Sequence, residues 1–388
     1  MDITIRPRLL RGDIEIIPSK SQAHRLLICA AFADRPTQLH CPETNRDIEA
    51  TVDCLQALGA DVLRTESGYT VFPISAVPEK AELNCCESGS TLRFFLPIVG
   101  ALGVDATFLM EGRLPSRPLS PLWEEMERMG CTLTRPTANS IRCTGKLQPG
   151  EYTIDGGVSS QFITGLLFAH ALIGNCTLTI SGTLESKPYV DMTKAALDLF
   201  QAPHFHSPGY IRVEGDWSNG AFWVAAEALE SPISITGLSD DSLQGDRAIL
   251  DILHLLEQGN PTISVRDIPD LVPILSVVAA AKHGAVFTDI RRLRLKESDR
   301  VETTMAMIHA LGGKAESDEN TMTVYPSILK GGTVDACNDH RIAMAAAIAA
   351  TICKDNVTIL GAQCVEKSYP QFWEEYSRLG GNYELNLR

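Results

Sequence analysis

Six short polar segments, built from Ser, Gly, Asp, Asn and Lys, run straight into helix-length stretches too apolar for a surface. The segments are Pro18-Ser19-Lys20-Ser21, Glu87-Ser88-Gly89-Ser90-Thr91, Gly156-Gly157-Val158-Ser159-Ser160, Gly215-Asp216-Trp217-Ser218, Asp267-Ile268-Pro269-Asp270 and Cys337-Asn338-Asp339-His340. The apolar stretches that follow cover residues 23–33, 92–102, 162–173, 221–229, 271–281 and 342–353. From Ser21 through Gly89, Ser159, Ser218, Asp270 and Asp339 the steps are 68, 70, 59, 52 and 69 residues. A helix that is apolar on every side lies inside a fold. Its first turn exposes unpaired N–H groups at the positive end of the dipole, which is a ready anion site. Six such starts predict a polyanion-binding cavity between buried helices.

A second element recurs after each buried helix: an amphipathic helix ending near glycine. The clear cases are residues 50–58 with Gly59, 122–129 with Gly130, 303–311 with Gly312 and 372–379 with Gly380. Residues 192–200, without the glycine, and 249–258 with Gly259 are weaker counterparts. Glycine after the last turn supplies a left-handed cap. Alternating stretches at 61–72 and 314–325 then read as hairpins. Repeats of this length stack around shared cores, and six in 388 residues divide economically into three per domain. The expected architecture is α/β with two domains, an inserted one over 19–214 and a discontinuous one joining 1–18 to 215–388. Their helix starts are expected to face each other across a cleft.

Net charge is −14, from 34 Lys and Arg against 48 Asp and Glu. That balance disfavours nucleic acid and anionic membrane as partners. An anionic substrate therefore demands cations gathered locally. The eleven cysteines form no CxxC pair, and Cys29, Cys54, Cys176 and Cys353 lie in apolar runs, as small buried hydrophobes of a reducing compartment do. His204-Phe205-His206, between Pro203 and Pro208, reads as a surface turn rather than a metal site. No metal or organic cofactor is indicated. The opening Met1-Asp2-Ile3-Thr4-Ile5 alternates like a strand, with no targeting signal, and the apolar runs fall short of the ~20 residues a bilayer span needs. A cytoplasmic monomer acting on small molecules is expected.

Taken singly, each polar start is a helix cap, because Ser, Asp and Asn are the preferred capping residues. Ser-Lys-Ser alone is a surface turn, and Lys296-Glu297-Ser298-Asp299-Arg300 alone is a solvated face. The cations change the balance. Lys20, Arg25, Arg93, Lys296, Arg300 and Arg341 cluster in or near these units, and a buried helix rejects Arg near its first turn unless an anion or acid waits there.

In this combination and order the chain resembles the enolpyruvyl transferase family, and within it the branch acting on shikimate 3-phosphate. The matching motifs are Pro18-Ser-Lys-Ser with Arg25, Gly89-Ser-Thr-Leu-Arg93, Arg117-Pro118, Ser159-Ser-Gln161, Ser186-Lys-Pro-Tyr189 and Ile268-Pro-Asp270. Lys296-Glu-Ser-Asp-Arg300, Asn338-Asp-His-Arg341 and Lys367-Ser-Tyr-Pro370 complete the set. The resemblance implies an inside-out α/β barrel of six βαβαββ units, three per domain, with the active site in the interdomain cleft. It also implies transfer of the enolpyruvyl group of phosphoenolpyruvate to the 5-hydroxyl of shikimate 3-phosphate, with release of phosphate, on the shikimate route to chorismate and the aromatic amino acids.

Carried over by residue, the resemblance gives shikimate 3-phosphate to Lys20, Ser21, Arg25, Ser159, Ser160, Gln161, Ser186, Tyr189, Asp270 and Lys296. It gives phosphoenolpyruvate to Lys20, Gly89, Arg117, Gln161, Lys296, Arg300, Arg341 and Lys367. Arg93 braces the site from behind. Lys acts as a compact charge for phosphate, Arg as a bidentate fork. Asp270 and Glu297 are placed to move protons, with Lys20 and Lys367 as amine alternatives. The favoured assignment puts Asp270 on the hydroxyl and Glu297 on the methylene carbon. Asp270, at the head of a helix, also reads as a cap.

Two departures from the family pattern stand out. Glu87 occupies a position that often holds Asn and would repel phosphoenolpyruvate unless it turns away or pairs with an Arg. Arg292 replaces an Asn of some members. The branch acting on UDP-N-acetylglucosamine has Lys-Asn at the first start and commonly a loop cysteine where this chain has Gly112. A non-catalytic anion binder would lack an acid or base that this chain retains, and no GxxxxGK[ST] phosphate loop occurs.

Overall fold

Four stretches repeat one local topology, in which a strand runs through an apolar helix into a second strand parallel to the first. They are Lys80–Asn84, Gly89–Leu102, Asp105–Leu109; Gly150–Asp155, Ser160–Ile173, Cys176–Ser181; Thr262–Ser264, Val272–Ala281, Ala285–Thr288; and Gly332–Asp335, His340–Ala350, Val357–Leu360. Parallel neighbours need a crossover, and the apolar helix is that crossover. Each helix therefore begins just past the carboxyl end of a strand, where α/β folds present their ligand sites.

The computed structural model describes residues 1–386 and divides into two units: Pro18–Glu214, and Met1–Ile17 with the chain from Gly215 onward. Residues 387 and 388, assigned from the sequence to the discontinuous domain, lie outside the described residues.

In the Pro18–Glu214 unit the inner helices, polar at the start and apolar beyond it, are Lys20–Ala31, Gly89–Leu102 and Ser160–Ile173; in the other they are Trp217–Ala228, Val272–Ala281 and His340–Ala350. All eleven residues of His340–Ala350 are buried. Each unit has its own hydrophobic core built on these helices. Three sheets surround each set. Four of the six are four-stranded with one pattern of pairing: parallel, antiparallel, antiparallel.

Two of those sheets are completed by a strand from far along the chain. Asp2–Arg6 lies between Val357–Leu360 and Asn382–Asn386, with Ile3 opposite Ile359 and Leu385. Tyr210–Arg212 joins Thr37–His40. No helix among the described residues is long and apolar enough to cross a membrane.

Helix boundaries shift several expectations in the N-terminal direction. The first apolar helix starts at Lys20, so Lys20 is itself helical and Ser19 is the cap. The amphipathic helix expected over 303–311 is Arg300–Ala310, which makes Arg300 its first residue. Ser186-Lys-Pro-Tyr189 is not a free turn: Lys187–Leu199 is a helix with Pro188 in its first turn, where proline is well tolerated. Gly259 is extended, not left-handed.

Leu275 is fully buried in Val272–Ala281. Leu275→Ala should lower the unfolding free energy of its unit by about 2–5 kcal/mol. The readout is the urea midpoint by tryptophan fluorescence, since Trp217, Trp223 and Trp373 all belong to that unit.

Candidate active site

Five of the six inner helices are capped by a Ser or Asp side chain. Ser19, Ser88, Ser159, Asp216 and Asp339 accept from the backbone N–H of Gln22, Thr91, Gln161, Asn219 and Arg341. The sixth, Val272–Ala281, has Leu271 at the cap position and no side-chain cap. The expected capping role of Asp270 is therefore corrected. Its carboxylate is turned instead to three cations.

In the Pro18–Glu214 unit, the starts of the inner helices carry the predicted residues Lys20, Ser21, Arg25, Gly89, Ser159, Ser160 and Gln161. Lys20 Nζ donates to Asp47 Oδ2 at 2.9 Å, a partner the motif analysis missed. Gln161 bridges two starts, donating to Ser90 Oγ at 2.9 Å and accepting from Arg93 Nη1 at 2.7 Å. The brace expected of Arg93 is seen in that bond and in its bond to the Pro118 carbonyl at 3.2 Å.

Gly89 is required by close approach. A Cβ there would meet Arg117 Nη1 at 2.6 Å and Arg93 Nη1 at 2.8 Å, so two guanidinium groups lie against this helix start. Glu87 is folded onto the loop that leads to Arg117, since a Cβ on Gly112 would come within 2.5 Å of its carboxyl carbon. The departure at Glu87 is thus accommodated by a glycine whose positive φ of 56° and missing Cβ leave room for the carboxylate.

Arg25 is buried deeper than a mouth residue. Its guanidinium donates to Thr193 Oγ1 at 2.9 Å, to the Tyr189 carbonyl at 2.9 Å, to Thr164 Oγ1 at 3.4 Å and to the Ser21 carbonyl, and lies over Phe94. Burial lowers its pKa to about 10. It ties the first turn of Lys20–Ala31, at Ser21, to the first turn of Lys187–Leu199, at Tyr189, and so sets the spacing of two predicted contact sites. Ser186 is buried, left-handed at φ 55°, and makes no capping bond.

The other unit gathers Asp270, Lys296, Glu297, Arg300, Arg341 and Lys367. Arg300 is buried among three carboxylates: Nη1 donates to Asp270 Oδ1 at 2.6 Å, Nη2 to Glu297 Oε2 at 2.7 Å and Nε to Asp339 Oδ2 at 3.0 Å. Their field outweighs burial and raises its pKa. Four of its five N–H groups are thus committed to carboxylates. Lys296 and Arg341 hold Asp270 more loosely, at 3.4 Å each. Arg341 also donates to the Ser218 carbonyl at 3.1 Å and to Ser218 Oγ at 2.7 Å, and Ser218 donates to Asp246. Lys367 Nζ donates to the Asn338 carbonyl at 3.1 Å.

Burial alone would push the Asp270 carboxyl up, but Arg341, Lys296 and Arg300 together hold it well below the usual carboxylate range. Lys296 is lowered, by burial first and by Arg300 and Arg292 against the pull of Asp270 and Glu297. The Arg292 departure thus adds positive charge beside Lys296. Asp47, Asp246 and the bond of Asp339 to Arg300 were not found by motif. The signal that points to Asp47 and Asp339 is charge accounting, since Lys20 and Arg300 are each matched by an acid.

Residues 5–376 match the family described as EPSP synthase (3-phosphoshikimate 1-carboxyvinyltransferase). The 3-phosphoshikimate 1-carboxyvinyltransferase of Clostridium kluyveri is 36% identical over 417 residues, covering 98% of each chain. That of Clostridium acetobutylicum is 36% identical, covering 98% of this chain and 97% of the relative. An EPSP synthase structure from Acinetobacter baumannii superimposes with a TM-score of 0.80 at 20% identity over 100% of both chains. The enolpyruvyl transferase NikO from Streptomyces tendae gives 0.76 at 19%, over 99% of this chain and 98% of that one.

Gly89→Ala should leave stability nearly unchanged, because the methyl meets flexible side-chain ends rather than backbone. It should displace both guanidinium groups and weaken phosphoenolpyruvate binding on the order of tenfold. Thermal melts and KM for phosphoenolpyruvate separate the two effects.

Proposed function

The chain belongs to the EPSP synthase family, and we propose that the two clusters of helix starts hold the two reactants of that activity. It transfers the enolpyruvyl group of phosphoenolpyruvate to the 5-hydroxyl of shikimate 3-phosphate and releases phosphate. The observation that carries the reading is Asp270, a carboxylate held ionised by three cations at an uncapped helix start. The finer architecture, six βαβαββ units forming an inside-out barrel, draws support from three sheets and three buried helices in each unit. The acidic net charge supports small molecules, and neither nucleic acid nor anionic membrane, as partners of a monomer.

Ser159, Ser160, Gln161, Ser186 and Tyr189, with Lys20 and Ser21, receive shikimate 3-phosphate, on a spacing set by Arg25. Arg117 on Gly89, with Gln161, Arg341, Lys296 and Lys367, receives phosphoenolpyruvate. Fixed cations at these positions stabilise charge on the departing phosphate.

The reaction joins the 5-hydroxyl oxygen to C2 of phosphoenolpyruvate while the methylene carbon takes a proton. Phosphate then leaves as a proton returns from the new methyl group. Asp270 accepts the hydroxyl proton. Held as it is, Asp270 is too weak a base. When substrate anions draw Arg341 and Lys296 away, its pKa climbs toward a useful value. Glu297 is the most exposed partner of Arg300, with its side chain 30% accessible against 16% for Asp270 and 0% for Asp339. An incoming carboxylate therefore displaces Glu297 from Arg300 most readily. Freed of its cation beside a new anion, Glu297 gains a raised pKa and can protonate the methylene carbon. Lys20 and Lys367 remain the amine alternatives for proton transfer.

Asp270→Asn keeps the shape of the cluster, whereas Asp270→Ala would strand three cations. Turnover of Asp270→Asn should fall by about 10²–10⁴-fold with KM values within a few-fold of wild type. Near-normal turnover removes Asp270 from the mechanism. Phosphate release from phosphoenolpyruvate with shikimate 3-phosphate, and none with UDP-N-acetylglucosamine, is the assay that tests the assignment as a whole.

A further inference from the structure

We propose that Asp246 is a positioning residue for phosphoenolpyruvate: through Ser218 its neutral carboxyl group keeps the Arg341 guanidinium aimed and undiminished in charge, and its ionisation weakens phosphoenolpyruvate binding. Asp246 lies in the short turn Gly245–Ala248, which packs on Trp217–Ala228. Its Oδ2 accepts from Ser218 Oγ, and Ser218 Oγ and carbonyl both accept from Arg341. Arg341 in turn reaches Asp270. The relay thus runs from a buried acid, through one hydroxyl, to a cation that faces the reaction.

The environment of Asp246 favours the neutral form. Oδ1 is buried and has no hydrogen-bond partner among the described residues, a costly position for half of a carboxylate charge. The charged groups facing it are Asp270 before Val272–Ala281, Asp216 at the cap of Trp217–Ala228, and Arg341 on His340–Ala350. Helix Ile249–Gln258, which follows the turn, faces the core with Ile249, Ile252, Leu253 and Leu256. Burial and then Asp270 raise the pKa, against Arg341 and the Ser218 bond, to about 7.

The sign follows directly. Below pH 7 the group is neutral, and Arg341 offers its whole charge to phosphoenolpyruvate. Above pH 7 an anion competes for Arg341 and repels an anionic ligand beside it. Bound phosphoenolpyruvate should correspondingly drive Asp246 back to its neutral form.

This deepens the assignment of Arg341 to phosphoenolpyruvate and rests on it. KM for phosphoenolpyruvate is to be measured from pH 6 to 8.5, at saturating shikimate 3-phosphate, in wild type, Asp246→Asn and Arg341→Lys. In wild type KM should rise above pH 7 by on the order of tenfold more than in Asp246→Asn, with kcat little affected. Asn keeps the acceptor for Ser218 and cannot ionise, so it should hold the low-pH KM throughout. A purely structural Asp246 would let the variant follow the wild-type rise, and that result overturns the proposal. An unchanged KM in Arg341→Lys instead overturns the assignment of Arg341. Should Asp246→Asn fail to fold, calorimetry of wild type at pH 8 in two buffers of different ionisation enthalpy decides. Uptake of about one proton on phosphoenolpyruvate binding supports the relay, and no uptake refutes it.

Discussion

Arg300 is the tie on which the discontinuous unit depends. A guanidinium removed from water is tolerable only when matched by acids in good geometry, and this one is matched three times. Asp270 comes from the loop ahead of Val272–Ala281, Glu297 from the segment entering Arg300–Ala310, and Asp339 from the cap of His340–Ala350. Three chain segments are thereby fixed around one planar group. Asp339 does double duty, since the oxygens that cap the helix also hold the arginine. Loss of any one acid leaves charge stranded indoors, while exchange for another anion keeps the count balanced.

The Pro18–Glu214 unit reaches the same end with less formal charge. A chain of neutral groups runs from His24 Nδ1 to Thr51 at 2.7 Å, from Thr51 to Thr91 at 2.9 Å, and from Thr91 to Ser88 at 2.7 Å. It links three helices beneath the mouth. Burial, with Lys20 and Arg25 nearby, depresses the His24 pKa, which keeps this connector neutral. Arg25 spans Thr164, Thr193 and the Tyr189 carbonyl. The contrast is chemical: beneath its helix starts one unit carries a network of hydroxyls, while the other pairs cations with carboxylates.

Much of this was legible in the residues. The six helix starts stand out because a polar cap beside an all-apolar helix is a local pattern, and the left-handed glycines at 59, 130, 312 and 380 mark helix ends for the same reason. Motif order then placed Gly89, Gln161, Asp270 and Arg341. What stayed hidden was pairing. Asp47 opposite Lys20, Asp246 behind Ser218 and the folding of Glu87 onto Gly112 join residues 25 to 28 positions apart, and nothing local in the chain marks them. Asp270 misled because a carboxylate at a helix head reads as a cap, and only its tertiary contact with Arg300 shows that it is turned away from that role. The boundary at Lys20 was misjudged because hydrophobicity begins three residues after the helix does.

The strand Asp2–Arg6 occupies the middle of a sheet whose other members all follow residue 331. Its neighbour Val357–Leu360 is made some 350 residues after it, roughly 20 to 70 seconds at ordinary elongation rates. The intervening Pro18–Glu214 segment can complete its own core during that wait. Until those partners are made, Asp2–Arg6, with Ile3 and Ile5 exposed and both edges unpaired, must be shielded or tolerated. This permuted wiring makes a strand synthesised before the whole Pro18–Glu214 unit wait for partners synthesised after it.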